Sequence, residues 1–226
     1  MKNQSGNEKC IKSFLQTKIA MLLLCLAMCL SLALGVVFAA PTEAASAETA
    51  LAPYSIIYIE GIEGGQLNDG WYLGTDGYHK YMGDPSTGYV AKYKDGILTL
   101  NGYDGGAIGT SAPAAGFYTV ELIGENVITT TGQNGLYLTG SDGARLTVTS
   151  ATGGSLAINV TNESSVWGID AASEQYKNNV IIGGNAKVSI DITSSGANRE
   201  TDGINANELT VEGEANLDIT AKNTNS

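Results

Sequence analysis

Three kinds of short apolar strand follow one another in a fixed order along the second half of this chain, and that cycle constrains the fold more than any other feature. The first kind reads Val120-Glu121-Leu122, Leu146-Thr147-Val148, Val180-Ile181-Ile182 and Leu209-Thr210-Val211. The second reads Val127-Ile128-Thr129, Leu156-Ala157-Ile158, Val188-Ser189-Ile190 and Leu217-Asp218-Ile219. The third reads Gly135-Leu136-Tyr137, Gly168-Ile169-Asp170 and Gly203-Ile204-Asn205. Equivalent positions recur every 26 to 35 residues, the mark of a solenoid with loops of variable length. Apolar residues alternate with small or polar ones, as in Leu156, Ile158 and Val160 against Ala157 and Asn159. Strands this short cannot bury an apolar face alone. Stacking successive turns buries the inward residues in one column and pairs each backbone with its neighbours.

The expected fold is therefore all-β: a right-handed parallel β-helix with three strands per rung. Gly124, Gly183 and Gly213 close three first-kind strands, and Gly and Asn at such corners suit positive φ. An antiparallel sandwich is the alternative; it also alternates, but it predicts no ordered cycle. Residues 48–110 read as a small N-terminal β cap with the first strands, and residues 111–226 as the repeats. Residues 55–61, 88–96 and 97–106 form strands joined by Gly-rich turns, with Asp95-Gly96 as a hairpin turn. A cap is expected because a bare solenoid end exposes a rung of unpaired backbone. The chain stops after a second-kind strand, so the repeats read as C-terminally incomplete.

The first 47 residues read as a signal peptide. Lys2, Lys9, Lys12 and Lys18 precede an apolar run from Ile19 to Ala40, and Ala45-Ser46-Ala47 fits a cleavage site, with Val37-Phe38-Ala39 as a second candidate. An uncleaved membrane anchor is the alternative. Cleavage predicts a secreted or cell-wall protein with no membrane association. All three cysteines, Cys10, Cys25 and Cys29, precede the site, so the remaining chain has no disulfide or thiolate chemistry. The chain carries 12 basic and 23 acidic residues; without four Lys, Glu8 and Glu43 these become 8 and 21, a net charge near −13. That balance argues against nucleic acid and anionic membranes as partners.

The stretches DGILTLNGYDGGAI (95–108), VELIGENVITTTGQNGLYLTG (120–140) and VEGEANLDIT (211–220) resemble the repeats of secreted, Gly/Thr/Asn-rich β-helix proteins of clostridial-type bacteria. Some of these are carbohydrate-binding-domain proteins, similar in shape to cellulose- and pectin-binding β-helices. The resemblance spans about residues 90–226. It implies a polysaccharide or cell-surface glycan as partner, and in such folds often Ca²⁺.

A solenoid displays its outward residues as ladders. Stacking the third-kind strands lines up Tyr137, Asp170 and Asn205, with Trp167 beside them. Sugar rings stack on aromatic planes while polar groups read their hydroxyls, so these four are the candidate carbohydrate-binding residues. The plainer alternative packs Trp167 against a loop and leaves the others solvated. For Ca²⁺, which takes six to eight oxygen ligands, the candidate pairs are Asp170 with Asp202 and Asp191 with Asp218. No recognised calcium loop accompanies them. Trp71, Tyr72, Tyr78, His79 and Tyr81 form a second aromatic group near Asp69, Asp76 and Asp84; it reads as a binding platform or as the cap's own core.

Enzyme chemistry finds little support. Arg145 and Arg199 are the only arginines and His79 the only histidine, and no G-x-S-x-G elbow occurs. A glycosidase needs just two placed carboxylates, so composition does not exclude one. The reading is a non-catalytic polysaccharide-binding module. The alternatives are a structural or adhesive stalk and a polysaccharide lyase or glycosidase.

Overall fold

A computed structural model describes residues 56–62, 64–111, 117–139, 143–163, 165–172, 175–196 and 201–224. The signal-peptide reading of residues 1–47 lies outside them. Within them the fold is all-β, with 19 strands in three mostly parallel sheets. The first strands are β1 (Ile56–Ile59), β2 (Gln66–Leu67), β3 (Trp71–Gly74), β4 (Lys80–Met82) and β5 (Tyr89–Lys94). The cycle of three then starts at β6 (Ile97–Asn101), β7 (Asp104–Gly105) and β8 (Ile108–Ser111), and continues with β9 (Phe117–Ile123), β10 (Glu125–Thr131) and β11 (Leu136–Thr139). It repeats as β12 (Arg145–Ser150), β13 (Ser155–Asn162), β14 (Val166–Asp170), β15 (Asn179–Gly184), β16 (Lys187–Ser194) and β17 (Thr201–Asn205). It closes on β18 (Glu208–Val211) and β19 (Asn216–Asn223).

Each strand kind builds its own sheet. First-kind strands lie in the order β18-β15-β12-β9-β6, second-kind strands as β19-β16-β13-β10-β7, and third-kind strands as β17-β14-β11-β8. Every neighbouring pair within these runs is parallel. The inward positions form vertical columns. Leu98, Val120, Val148 and Ile182 stack in one, and Ile128, Ile158 and Ile190 in another, all of them buried. Burying each such side chain contributes about 1.5–3 kcal/mol relative to exposure.

Register corrects the triplet alignment at the first turn. Leu156 lies opposite Asn126, not Val127, and Ile158 opposite Ile128. A slip of one residue turns Val127 outward and puts an amide in the core. Asn126 is 1 % exposed and uses its whole amide: its nitrogen donates to the carbonyls of Ile123, Gly124 and Ser155, and its oxygen accepts from Tyr103 N at 3.0 Å. A buried amide is tolerated because every group has a partner. In the first-kind strands Val120 pairs with Val148 rather than Leu146, a slip of two that keeps the same face inward.

The corners also differ from the expectation. Positive φ falls at Gly184 rather than Gly183, and at Gly124 and Gly213 as expected; no Asn among the described residues adopts it. The asparagines at corners serve instead as clamps between rungs, as Asn178 does by accepting from Ala144 N at 2.8 Å. Gly135, Gly168 and Gly203 are needed for closeness, not for φ. A methyl at each would overlap the Cγ2 atoms of Ile158, Ile190 and Ile219, which stack in the neighbouring second-kind sheet.

The three sheets end differently at the cap. The third-kind sheet continues into β1 and β2, both antiparallel. The first-kind sheet continues through an antiparallel β6-β5-β3-β4 meander, whose β5–β6 turn, Asp95-Gly96, has φ of 51° and 80°. This is the primed turn geometry that a two-residue hairpin favours. The second-kind sheet ends at the short β7, where the Tyr78 hydroxyl accepts from Asp104 N at 3.2 Å and donates to the Asp104 carbonyl.

Candidate functional site

On the outward face of the six-stranded sheet, pairing builds one continuous row. Gln66 lies opposite Tyr58, Tyr58 opposite Gly109, and Gly109 opposite Tyr137. Tyr137 then faces Asp170, and Asp170 faces Asn205. The row crosses the strands at their spacing of about 4.8 Å. Its side chains point outward because their neighbours Ile57, Ile108, Leu136 and Ile169 are buried. Tyr137 is half-buried, its ring lying where Gly109 would carry a side chain. Gly109 thus gives the ring a flat seat. Burial, with the nearby Tyr58 and Glu60, holds the Tyr137 phenol above its usual pKa, so the hydroxyl stays protonated.

Asp170 is held between amides. Asn134 Nδ2 donates to Oδ2 at 2.7 Å, and Asn205 Nδ2 donates to Oδ1 at 2.9 Å and to the Ala172 carbonyl at 2.6 Å. The Asn134 oxygen in turn accepts from Trp167 N at 3.0 Å. Burial raises the Asp170 pKa above the usual 3.8, while the two amides pull it back. Trp167 faces the same way because alternation breaks between Gly168 and Ile169, which are both buried. Its cross-strand partner is Asp202. All four sequence-predicted sugar-binding residues therefore sit in one sheet, three of them in a single row.

The predicted calcium pairs do not converge. Asp170 pairs with Asn205 and Asp202 with Trp167, so the two carboxylates occupy different rows. Asp191 lies opposite Thr220, and Asp218 opposite Ser189, which makes them diagonal neighbours. Among the described residues no group of three or more His, Cys, Asp and Glu could hold a metal ion. This donor set does not fit Ca²⁺.

Sequence reasoning missed Tyr58, Gly109, Gln66 and Asn134. Tyr58 and Gln66 lie in β1 and β2, outside the repeat, and join the row only through antiparallel pairing. The cap aromatics divide. Trp71 and Tyr78 pack against the core. Tyr72 and Tyr81 stack with centroids 5.4 Å apart, and Tyr81 donates to Asp76 Oδ2 at 2.6 Å. His79 is exposed. A cleft of about 190 Å³ opens beside Glu60, lined by Tyr78 and Tyr103. By contrast, the outward face of the five-stranded sheet carries Thr129, Asn159, Asp191 and Thr220 in one row and Thr131, Thr161, Thr193 and Lys222 in the next, with no ring among them.

Comparison with known proteins returned no matching family model, no matching curated protein and no matching solved structure.

Proposed function

We propose that this chain is a secreted or cell-surface right-handed parallel β-helix that binds a polysaccharide without cleaving it, along the outward face of its six-stranded sheet. The supporting observation is the in-register row Gln66, Tyr58, Gly109, Tyr137, Asp170, Asn205. A glycan laid across the strands meets two phenol rings, then a carboxylate and an amide, at a regular spacing. The rings offer faces for C–H stacking, and the polar groups offer acceptors and donors for hydroxyls. Tyr137, seated over Gly109 and half-buried, presents a ring with little orientational freedom to lose on binding. The leading segment of residues 1–47 supports export, and the acidic balance of 23 carboxylates to 12 cations suits a neutral or cationic partner.

Asp170 has Tyr137 and Asn205 as its cross-strand partners, and no carboxylate stands opposite it. That supports binding over hydrolysis, which needs two carboxyl groups across a bond. A structural stalk is the second reading. The amide–carboxylate chain of Asn134, Asp170 and Asn205 favours it, because that chain is already internally bonded.

Retention on insoluble cellulose, xylan and chitin tests the proposal. The chain is retained on at least one of them without releasing sugar. Tyr137→Ala weakens that retention about three- to tenfold, the worth of one aromatic contact. Passage through all three columns unretained would leave the stalk reading.

A further inference from the structure

Tyr58 and Glu60 stand two residues apart at the end of β1, so the binding row runs directly past the cleft at Glu60. The cleft is small, about 190 Å³, below the 300 Å³ or so of sites for drug-sized ligands. Glu60 forms its rim. Its Oε1 accepts from Gln133 Nε2 at 2.9 Å and its Oε2 from Ala107 N at 3.1 Å, which fixes the carboxylate while leaving lone pairs open. Tyr78 and Tyr103 form the wall, edge to face, with centroids 6.0 Å apart. Gly105 and Gly106 form the floor. A methyl at Gly105 would lie 2.7 Å from Tyr103 Cζ, and one at Gly106 would lie 2.7 Å from Glu60 Cβ, so both glycines clear the space these side chains occupy.

Tyr78 reaches the wall from a backbone φ of 62°, a left-handed conformation that disfavours a non-glycine residue. Its hydroxyl bonds to both backbone groups of Asp104, which ties the ring in place. The Tyr103 hydroxyl donates to the Gly106 carbonyl at 3.0 Å, so its proton is already committed. The cleft therefore presents a carboxylate and the half-buried Tyr78 ring, backed by a Tyr103 that is only 1 % exposed, and none of its described lining residues is cationic.

We propose that this cleft receives the ammonium group of an amino sugar, making the ligand a polysaccharide that carries free amines. The inference rests on the reading of the row as a glycan-binding face. An ammonium finds a fixed counter-charge in Glu60 and the Tyr78 ring for cation–π attraction. An uronate brings a second carboxylate to Glu60 and is repelled. An N-acetylated sugar fits the row but lacks the charge.

The test is calorimetric titration of the whole chain with three probes of equal length: a glucosamine oligosaccharide, its N-acetylated form and a cello-oligosaccharide. The free-amine probe binds about tenfold more tightly than the acetylated one, equivalent to about 1.4 kcal/mol. That preference shrinks with added salt. Glu60→Gln, confirmed folded by its melting transition, removes it so that both probes are held alike. Equal wild-type affinity for the free and acetylated probes, or a preference that survives Glu60→Gln in a folded variant, overturns the cleft assignment alone. Absence of binding by all three probes overturns the cleft assignment, and with no retention on xylan it overturns the glycan-binding face as well. If Glu60→Gln does not fold, the wild-type acetylation and salt comparisons decide.

Discussion

Asp170 shows how one residue serves two ends. Its carboxylate is half-buried on the outward row of the six-stranded sheet, where lost solvation works against charge and the Asn205 and Asn134 amides work for it. Burial prevails, and the folded-state pKa lies above the unfolded one. The sign follows from linkage: the contribution of Asp170 to stability is fully present below the usual 3.8 and is lost as pH rises through its folded pKa. Comparing urea midpoints of the wild type and Asp170→Asn from about pH 3 to about pH 7 isolates this group. The wild type loses stability relative to the variant as pH rises across that span. A gap that is constant, or that moves the other way, contradicts the burial argument. The same residue was legible in the sequence as the middle of a Tyr137, Asp170, Asn205 ladder, because all three follow a Gly-apolar pair. Asn134 was not: it precedes its strand, and nothing in the spacing marks an amide that reaches across to the next rung.

At the scale of strands, register decides what the periodicity leaves open. Alternation in Leu156, Ile158 and Val160 identifies the buried face without ambiguity. In the first turn it misleads, since Val127 is apolar yet faces outward, while Asn126 enters the core with four hydrogen bonds of its own. Hydrophobicity ranks Val above Asn for burial; full satisfaction of the amide reverses the ranking. The glycines leading the third-kind strands were legible as a column, but the reason for them was not. They permit the close approach of one sheet to the isoleucines of the next. Gly168→Ala therefore tests packing rather than backbone freedom. The added methyl meets Ile190 Cγ2 and lies 3.0 Å from the Gly203 carbonyl oxygen. Overpacking of this kind costs about 1–3 kcal/mol, read as a lower urea midpoint. A midpoint equal to that of the wild type would mean that the sheets do not approach as described.

On the scale of the whole molecule, the cap and the repeats are one construction. Each sheet of the repeats meets the cap by a different device: antiparallel β1 and β2, an antiparallel meander, and a tyrosine hydroxyl on β7. The first of these extends the outward row by Tyr58 and Gln66, residues no repeat would supply. At the other end, Leu209, Val211 and Ile219 are 42 %, 47 % and 40 % exposed, although they continue columns that are buried elsewhere. Tyr137 and Trp167 lie on the outward face of the six-stranded sheet, while the outward rows of the five-stranded sheet show hydroxyls, amides, carboxylates and Lys222. Assigned backbone and side-chain NMR spectra, recorded as a soluble oligosaccharide of a retained polysaccharide is titrated in, separate these faces in one experiment. The account predicts saturable shifts at Tyr58, Gly109, Tyr137, Asp170 and Asn205, with the Thr131, Thr161 and Thr193 row silent. Shifts confined to that threonine row, or spread evenly over all three sheets, would contradict it.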